Sequence, residues 1–196
     1  MYEFGRALPV LRAQRVRLRP IVPTDVGALF EVFSDPEVMK YWSSPPLSSM
    51  GGAEALLEDI RRGFQERRLF QWGIEYDAER TLIGTGTLLN WDRAHHRAEL
   101  GFALTRRLWN LGLATEAVAR IVRFAFEELG LHRLEADADP RNEASLRVLR
   151  RLGFQAEGLL RERYHQAGEV QDAVILGLLR SEWITNAGPQ PFRPAQ

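Results

Sequence analysis

The sequence predicts a single mixed α/β (α+β) domain built on a mostly antiparallel central sheet of about seven strands. Three observations predict it. Short stretches at 69–77, 81–90 and 97–105 alternate or cluster apolar residues in sequence order, which reads as an antiparallel meander. Apolar residues at helical spacing over 53–68 and 113–129 mark two long amphipathic helices. The run strand, helix, strand across 97–139 requires one parallel pair, because such a crossover returns the chain in the same direction. A mixed sheet covered by helices follows.

Element by element, residues 1–14 read as an irregular lead-in. The Val-Arg-Leu-Arg run at 16–19 alternates apolar and basic and opens a strand over 16–20. Pro23, Thr24 and Asp25 start a helix that runs to 34, and Asp35-Pro36-Glu37 restarts the chain into a short turn at 38–42. The Ser/Pro/Gly-rich stretch 43–52 is a loop. Ala53, Leu56, Leu57, Ile60 and Phe64 then share one helix face. Asp77-Ala78-Glu79-Arg80 turns the first two meander strands, and Glu99 lies inside the third. The helix over 113–129 carries Ala114, Ala117, Val118, Ile121, Ala125 and Leu129 as its apolar stripe and stops at Gly130. A strand at 134–139, a shorter helix at 142–152 ended by Gly153, and strands at 154–160 and 170–179 complete the domain, 15–184. Three prolines and a glycine in 185–196 read as a flexible tail.

Composition removes several function classes. The 196 residues carry 26 basic and 26 acidic side chains, and this balance argues against a nucleic-acid binder. No run of about 18 apolar residues is present to cross a membrane. The N-terminus lacks the basic start and long apolar run of a secretory signal, so a cytoplasmic address is expected. With no cysteine, thiolate metal sites, disulfides and cysteine nucleophiles are excluded. The four histidines form no ligand spacing, and no metal is expected.

Three segments can carry chemistry. Residues 106–117 join a strand to a long helix through Gly112, and the free amides of a helix start make an anion cradle suited to a pyrophosphate. An ordinary helix start with a turn glycine accounts for the same residues; neither the Walker pattern nor the dinucleotide fingerprint is present. In 139–154, Asn142 and Ser145 share a helix face, and a plain N-cap is the competing explanation. In the strand before the cradle, alternation sets Glu99, Gly101 and Ala103 against Leu100, Phe102 and Leu104. Glu99 reads either as a functional carboxylate beside a glycine that leaves room for a ligand, or as an exposed partner of Arg97 or Arg133. The cradle and the Asn142 helix start both fall at C-terminal ends of neighbouring parallel strands, where open α/β sheets bind ligands.

The order Glu-x-Gly-Phe at 99–102, Trp-Asn-x-Gly-x-Ala-Thr-Glu-Ala at 109–117, Asp-x-Arg-Asn-x-x-Ser at 139–145 and Leu-Gly-Phe at 152–154 resembles the GCN5-related N-acetyltransferase (GNAT) superfamily. Arg17-Leu18-Arg19-Pro20, Asp25 and Ser34-Asp35-Pro36-Glu37-Val38 are similar to its ribosomal-protein N-terminal alanine acetyltransferase (Rim-type) group. The resemblance covers about 15–183. Trp109 departs from the Gln or Arg usual in the superfamily and matches the aromatic common in that group. The resemblance implies a sheet whose central parallel strands splay around acetyl-CoA. Backbone groups of Phe102 and Leu104 would hold the pantetheine and acetyl carbonyl. Trp109, Asn110, Leu111, Gly112, Leu113, Ala114 and Thr115 would wrap the pyrophosphate, and Asn142 would bond the pantetheine arm.

In such a site an acceptor amine must lose a proton before attack, and Glu99 is the candidate base, with a pKa raised by partial burial. Ser145 is the candidate donor to the leaving thiolate and Tyr164 its rival. With no cysteine, direct transfer in a ternary complex is expected. The implied acceptor is a protein N-terminal α-amine, or a small amine such as a polyamine, amino acid or aminoglycoside. A non-catalytic acyl-CoA-binding module is the rival from another class. Trp42 and the loop at 43–49 lie where such folds build the acceptor groove, and a homodimer is a further implication.

Overall fold

The computed structural model describes residues 4–166 and 168–186. Eight strands form one open sheet: β1 (Leu11–Arg12), β2 (Val16–Arg19), β3 (Leu69–Tyr76), β4 (Thr81–Asp92), β5 (Arg97–Leu104), β6 (Arg133–Ala138), β7 (Gln155–Gln166) and β8 (Glu169–Leu179). Their order is β1-β2-β3-β4-β5-β6-β8-β7. Every neighbouring pair is antiparallel except β5 and β6, the parallel pair that the crossover requires.

Helices cover both faces. On one face lie α1 (Val26–Ser34), α2 (Pro36–Met39) and α3 (Met50–Gln65). Leu29, Val32, Phe33, Leu57 and Ile60 pack there with Leu82 and Ala103. On the other face lie α4 (Leu113–Arg123) and α5 (Glu143–Arg151), whose Val118, Ile121, Leu146 and Leu149 pack with Leu18, Leu100 and Leu134. The alternation expected in β5 therefore holds: Ala103 belongs to the α1–α3 layer, and Leu100 and Leu104 to the α4–α5 layer. A Cβ on Gly86 would stand 2.4 Å from Ile121 Cδ1, so that glycine lets α4 seat against the sheet.

Several elements differ from the sequence expectation. The sheet has eight strands, because Leu11–Arg12 in the lead-in pairs with Leu18–Arg17 as β1. Two residues give no period to read. The meander-to-crossover helix changes to a π-helical turn at Phe124–Glu128, where Leu129 N donates to Phe124 O at 3.0 Å. The wider turn buries Phe124, Ala125 and Phe126 together, which a strict 3.6-residue period cannot do. α3 starts early because Ser49 caps it, accepting from Gly52 N at 3.3 Å. β7 extends to Gln166, and α6 (Arg180–Asn186) takes in residues 185 and 186 of the expected tail. Residues 187–196 of that expected tail lie outside the described residues.

A polar knot fixes the start of the sheet to α1. The Arg19 guanidinium grips Asp25 through two bonds of 2.7 and 2.8 Å and also reaches Glu75. Arg17 Nε donates to Glu75 Oε1 at 2.8 Å, and Val22 N donates to Asp25 at 2.8 Å. Asp25 and Glu75 are buried. Burial pushes both carboxyls up, but the Arg19 bonds, joined by Val22 N at Asp25 and Arg17 at Glu75, outweigh it and hold both below the ordinary carboxylate range.

Because both pKa values are depressed in the folded state, this contribution is present at neutral pH and is lost as pH falls through the folded values. Glu75→Gln should destabilise the protein by about 3 kcal/mol in urea titration, since it leaves the partly buried Arg17 without an acid and Arg19 with Asp25 alone. It should also flatten the loss of stability on acidification; a variant as stable as the parent at pH 7 would show the knot to be dispensable.

Candidate active site

The site begins where two strands part. β5 and β6 pair only at Arg97↔Arg133, Ala98↔Leu134 and Glu99↔Glu135. Beyond that point β5 continues to Leu104 and β6 to Ala138 without pairing. The register decides what faces the gap. Thr105 N donates to Ile83 O at 2.8 Å, and Gly84 lies opposite Leu104, so Ala103 and Gly101 turn their backbone groups to β4. Phe102 and Leu104 therefore turn their N–H and C=O groups toward the side from which β6 has moved away. The residues expected to hold the pantetheine and acetyl carbonyl are the two whose backbone borders the gap. One acceptor is partly used: Trp109 Nε1 donates to Leu104 O at 2.7 Å.

The connection from β5 to α4 makes a helix start with open amides. Asn110 (φ 63°) and Gly112 (φ 78°) both sit in the left-handed region. Gly112 is the N-cap residue, and no side chain caps this end. The first-turn amides at Leu113, Ala114 and Thr115 thus have no intrahelical acceptor. The loop is held from outside by Arg15, which the sequence analysis missed. Its Nη1 donates to Leu111 O at 3.0 Å and its Nε to Glu116 Oε2 at 2.9 Å. The contacts span about a hundred residues of chain, so no local pattern could have marked them.

At the end of β6, Asp139 takes Arg141 in a two-pronged pair, with Nε at 2.9 Å and Nη2 at 2.7 Å. Asn142 Oδ1 then accepts from Ser145 N at 3.1 Å. The N-cap explanation of Asn142 is realised, and its side-chain N–H groups make no hydrogen bond with any described residue. Ser145 Oγ makes no hydrogen bond with any described residue.

These pieces line one cleft of about 500 Å³. It brings together Phe102, Leu104, Trp109, Asn110, Gly112, Leu113, Ala114, Thr115, Asn142 and Ser145. Leu111 is not in the lining; half exposed, it serves through the carbonyl that Arg15 grips. Tyr41 and Trp42 close the wall opposite α5, next to the loop expected to form the acceptor groove. Trp42 stands against Phe33 at 87°, which fixes its plane.

Glu99 and Tyr164 lie beside the cleft and not in its lining. Glu99 is the last residue of β5 paired with β6, and alternation with Ala103 puts it on the face of α1 to α3. Its Oε2 accepts from Asn90 Nδ2 at 2.9 Å. Burial pushes its carboxyl above the ordinary range; the nearby charges of Asp137 and Glu135 add to this, against the Asn90 bond and Arg163. On the same face a Cβ on Gly101 would meet nothing within 4 Å, so the space beside Glu99 is open. The Tyr164 hydroxyl donates to Asp137, and burial first, then that carboxylate, pushes it up to about 12.

The open backbone of Phe102 and Leu104, the uncapped α4 start and the gap between strands fit an extended amide-bearing thiol ester with a diphosphate. The chain matches the acetyltransferase (GNAT) domain family over residues 15–155. It is 34% identical over 172 residues to the N-acetyltransferase YoaA of Bacillus subtilis, covering 88% of this chain and 97% of that one. YdaF of the same organism, named as a candidate ribosomal N-acetyltransferase, is 29% identical over 174 residues, 87% of this chain and 94% of its own. The spermidine N(1)-acetyltransferase of Escherichia coli is 26% identical over 172 residues, 88% of this chain and 90% of its own. With motif order, parted strands and cradle all agreeing with these matches, the chain belongs to the GNAT acetyltransferase family and is an acetyl-CoA-dependent N-acetyltransferase.

Proposed function

We propose that this enzyme is a Rim-type member of its family and acetylates the α-amine of a protein N-terminus, as of a ribosomal protein, by direct transfer from acetyl-CoA. The observation that carries the choice of acceptor is the pairing of the carboxylates around the strand gap. Glu135 is held by Arg97 and Arg133, Asp139 by Arg141, and Asp137 takes the Tyr164 hydroxyl. Glu99 has the neutral Asn90 amide as its hydrogen-bond partner, and Arg163 acts on it through charge alone. Of the carboxylates at the strand gap, Glu99 is the one with open space beside it, at Gly101, which suits an acceptor with one amine. A polyamine carries several cationic nitrogens and would also meet Lys40 on the cleft wall. The acid strength agrees: an α-amine titrates about 2.5 units below a lysine-type amine, so deprotonation needs roughly 3 kcal/mol less.

In this mechanism Glu99 removes the proton from the ammonium, directly or through one water, and its raised pKa suits it to the task. The free amine attacks the thioester carbon. The Phe102 N–H, turned toward the gap, steadies the oxygen that becomes negative. As the C–S bond breaks, Ser145 Oγ gives its proton to the departing thiolate, and the second proton, shed by the newly acylated nitrogen, returns through solvent to the Ser145 oxygen. Its place in the cleft lining supports it over Tyr164, whose hydroxyl is tied to Asp137 and holds its proton more tightly than an ordinary tyrosine. The α4 start holds the diphosphate, and Asn142 the pantetheine amides.

Three measurements test this. Glu99→Gln should lower kcat about a hundredfold or more and leave the Kd for CoA unchanged. Because the base works ionised and its pKa is raised, the parent's kcat/KM should climb with pH through a value above the ordinary carboxylate range, and the variant should lack that limb. Equal turnover for both would remove Glu99 from the reaction. Gly112→Val forces a β-branched residue to φ 78° and should weaken CoA at least tenfold, by roughly the 1–2 kcal/mol that the left-handed region disfavours; an unchanged Kd would contradict the cradle. Finally, kcat/KM for peptides beginning with alanine should exceed that for spermidine, and the reverse order would overturn the N-terminal reading.

A further inference from the structure

α5 turns one stripe toward the cleft, formed by Ala144, Arg147, Val148 and Arg151. Leu146 and Leu149 fill the core behind it. Arg147 and Arg151 are four residues apart, so their side chains are neighbours on the helix surface, and like charges at that spacing destabilise a helix. Neither makes an ion pair or hydrogen bond with any described residue. Most other arginines around the site grip an acid: Arg15 holds Glu116, Arg107 holds Glu79, Arg133 holds Glu157 and Arg141 holds Asp139. Glu143, the acid on the first turn of α5, lies 3.7 Å from Arg150 instead. The helix C-terminus favours a cation near Arg150 and Arg151. It gives no reason for Arg147, and none for the pair to face the cleft.

We infer that Arg147 and Arg151 form a subsite for a phosphate monoester, the 3′-phosphate on the ribose of CoA. This rests on the reading of the cleft as the acetyl-CoA site. CoA carries two separate acidic groups. The uncapped α4 start offers backbone amides for the diphosphate, and the two guanidinium groups stand across the same cleft on α5. A monoester dianion meets two planar forks, each able to donate two parallel bonds. The phosphate also removes the repulsion between the two arginines. The pair is thus a device for recognising the donor, placed away from the reacting thioester at Ser145.

Calorimetric titration of the whole chain with CoA and with 3′-dephospho-CoA tests the subsite without any turnover. The parent should bind CoA about tenfold or more tightly than dephospho-CoA, the difference expected when charge-assisted bonds are lost. The double variant Arg147→Ala/Arg151→Ala should bind both ligands equally, with its dephospho-CoA affinity unchanged, which also reports an intact fold. Arg147→Lys/Arg151→Lys should restore part of the preference, and added salt should shrink it. Equal affinity of the parent for both ligands would overturn the subsite. So would a double variant that weakens both by the same factor, because the arginines would then hold the diphosphate. If the parent binds neither ligand, the acetyl-CoA reading of the cleft fails, and the subsite with it.

Discussion

The structure depends on a ladder that stops early. After Glu99 and Glu135 the parallel pair separates, and the backbone groups of Phe102 and Leu104 border a gap inside the sheet. Buried peptide groups without partners are expensive, so a gap of this kind persists only if something polar completes it. Trp109 satisfies one of these groups by donating to Leu104 O. The remainder asks for an extended chain with its own amides, laid beside β5 as a strand would be. Pantetheine has that chemistry, and its proposed place beside β5 would be a β-augmentation.

Holding a sheet open requires that its two faces be fixed independently. Residues 15–19 do this from one short segment. Arg15 reaches the α4 start through Leu111 and Glu116. Arg17 and Arg19 point to the opposite face and tie Glu75 and Asp25, just ahead of α1. Val16 and Leu18 between them are fully buried. One short segment thereby ties the α4 start on one side and the layer of α1 to α3 on the other. The close seat of Ile121 on Gly86 fixes the depth of α4 and so the height of its amides above the gap.

What the sequence made legible was local. Helix starts, the stop at Gly130, the meander and the parity of Glu99 against Phe102 all depend on neighbours within a few residues. The helix starts at Gly112 and Asn142 were readable for the same reason, since each is built from backbone and from one helical turn. Asn142 kept two readings open because capping uses its oxygen and leaves its amide N–H groups unused. Long-range features were not readable. Arg15 works through partners about a hundred residues away. β7 lies at the sheet edge, with Arg161, Glu162 and Arg163 in sequence and Glu162 at φ 54°, so alternation breaks where the strand bulges. Arg147 and Arg151 are informative only through the partners they lack, and a sequence does not display a missing contact.

The parity of β5 also sets the direction of the proposed chemistry. Glu99 stands on the face of α1 to α3, with open space at Gly101 beside it. Ser145 stands on the α5 face, on the other side of the sheet. An amine activated by Glu99 would reach the thioester from one face, and the sulfur would leave toward the other. An intact parallel pair would put a continuous hydrogen-bonded wall between these two groups. In the proposed mechanism the separation of β5 from β6 is therefore more than room for a ligand: it is the passage that lets proton removal from the nitrogen on one face and proton delivery to the sulfur on the other serve one reacting centre.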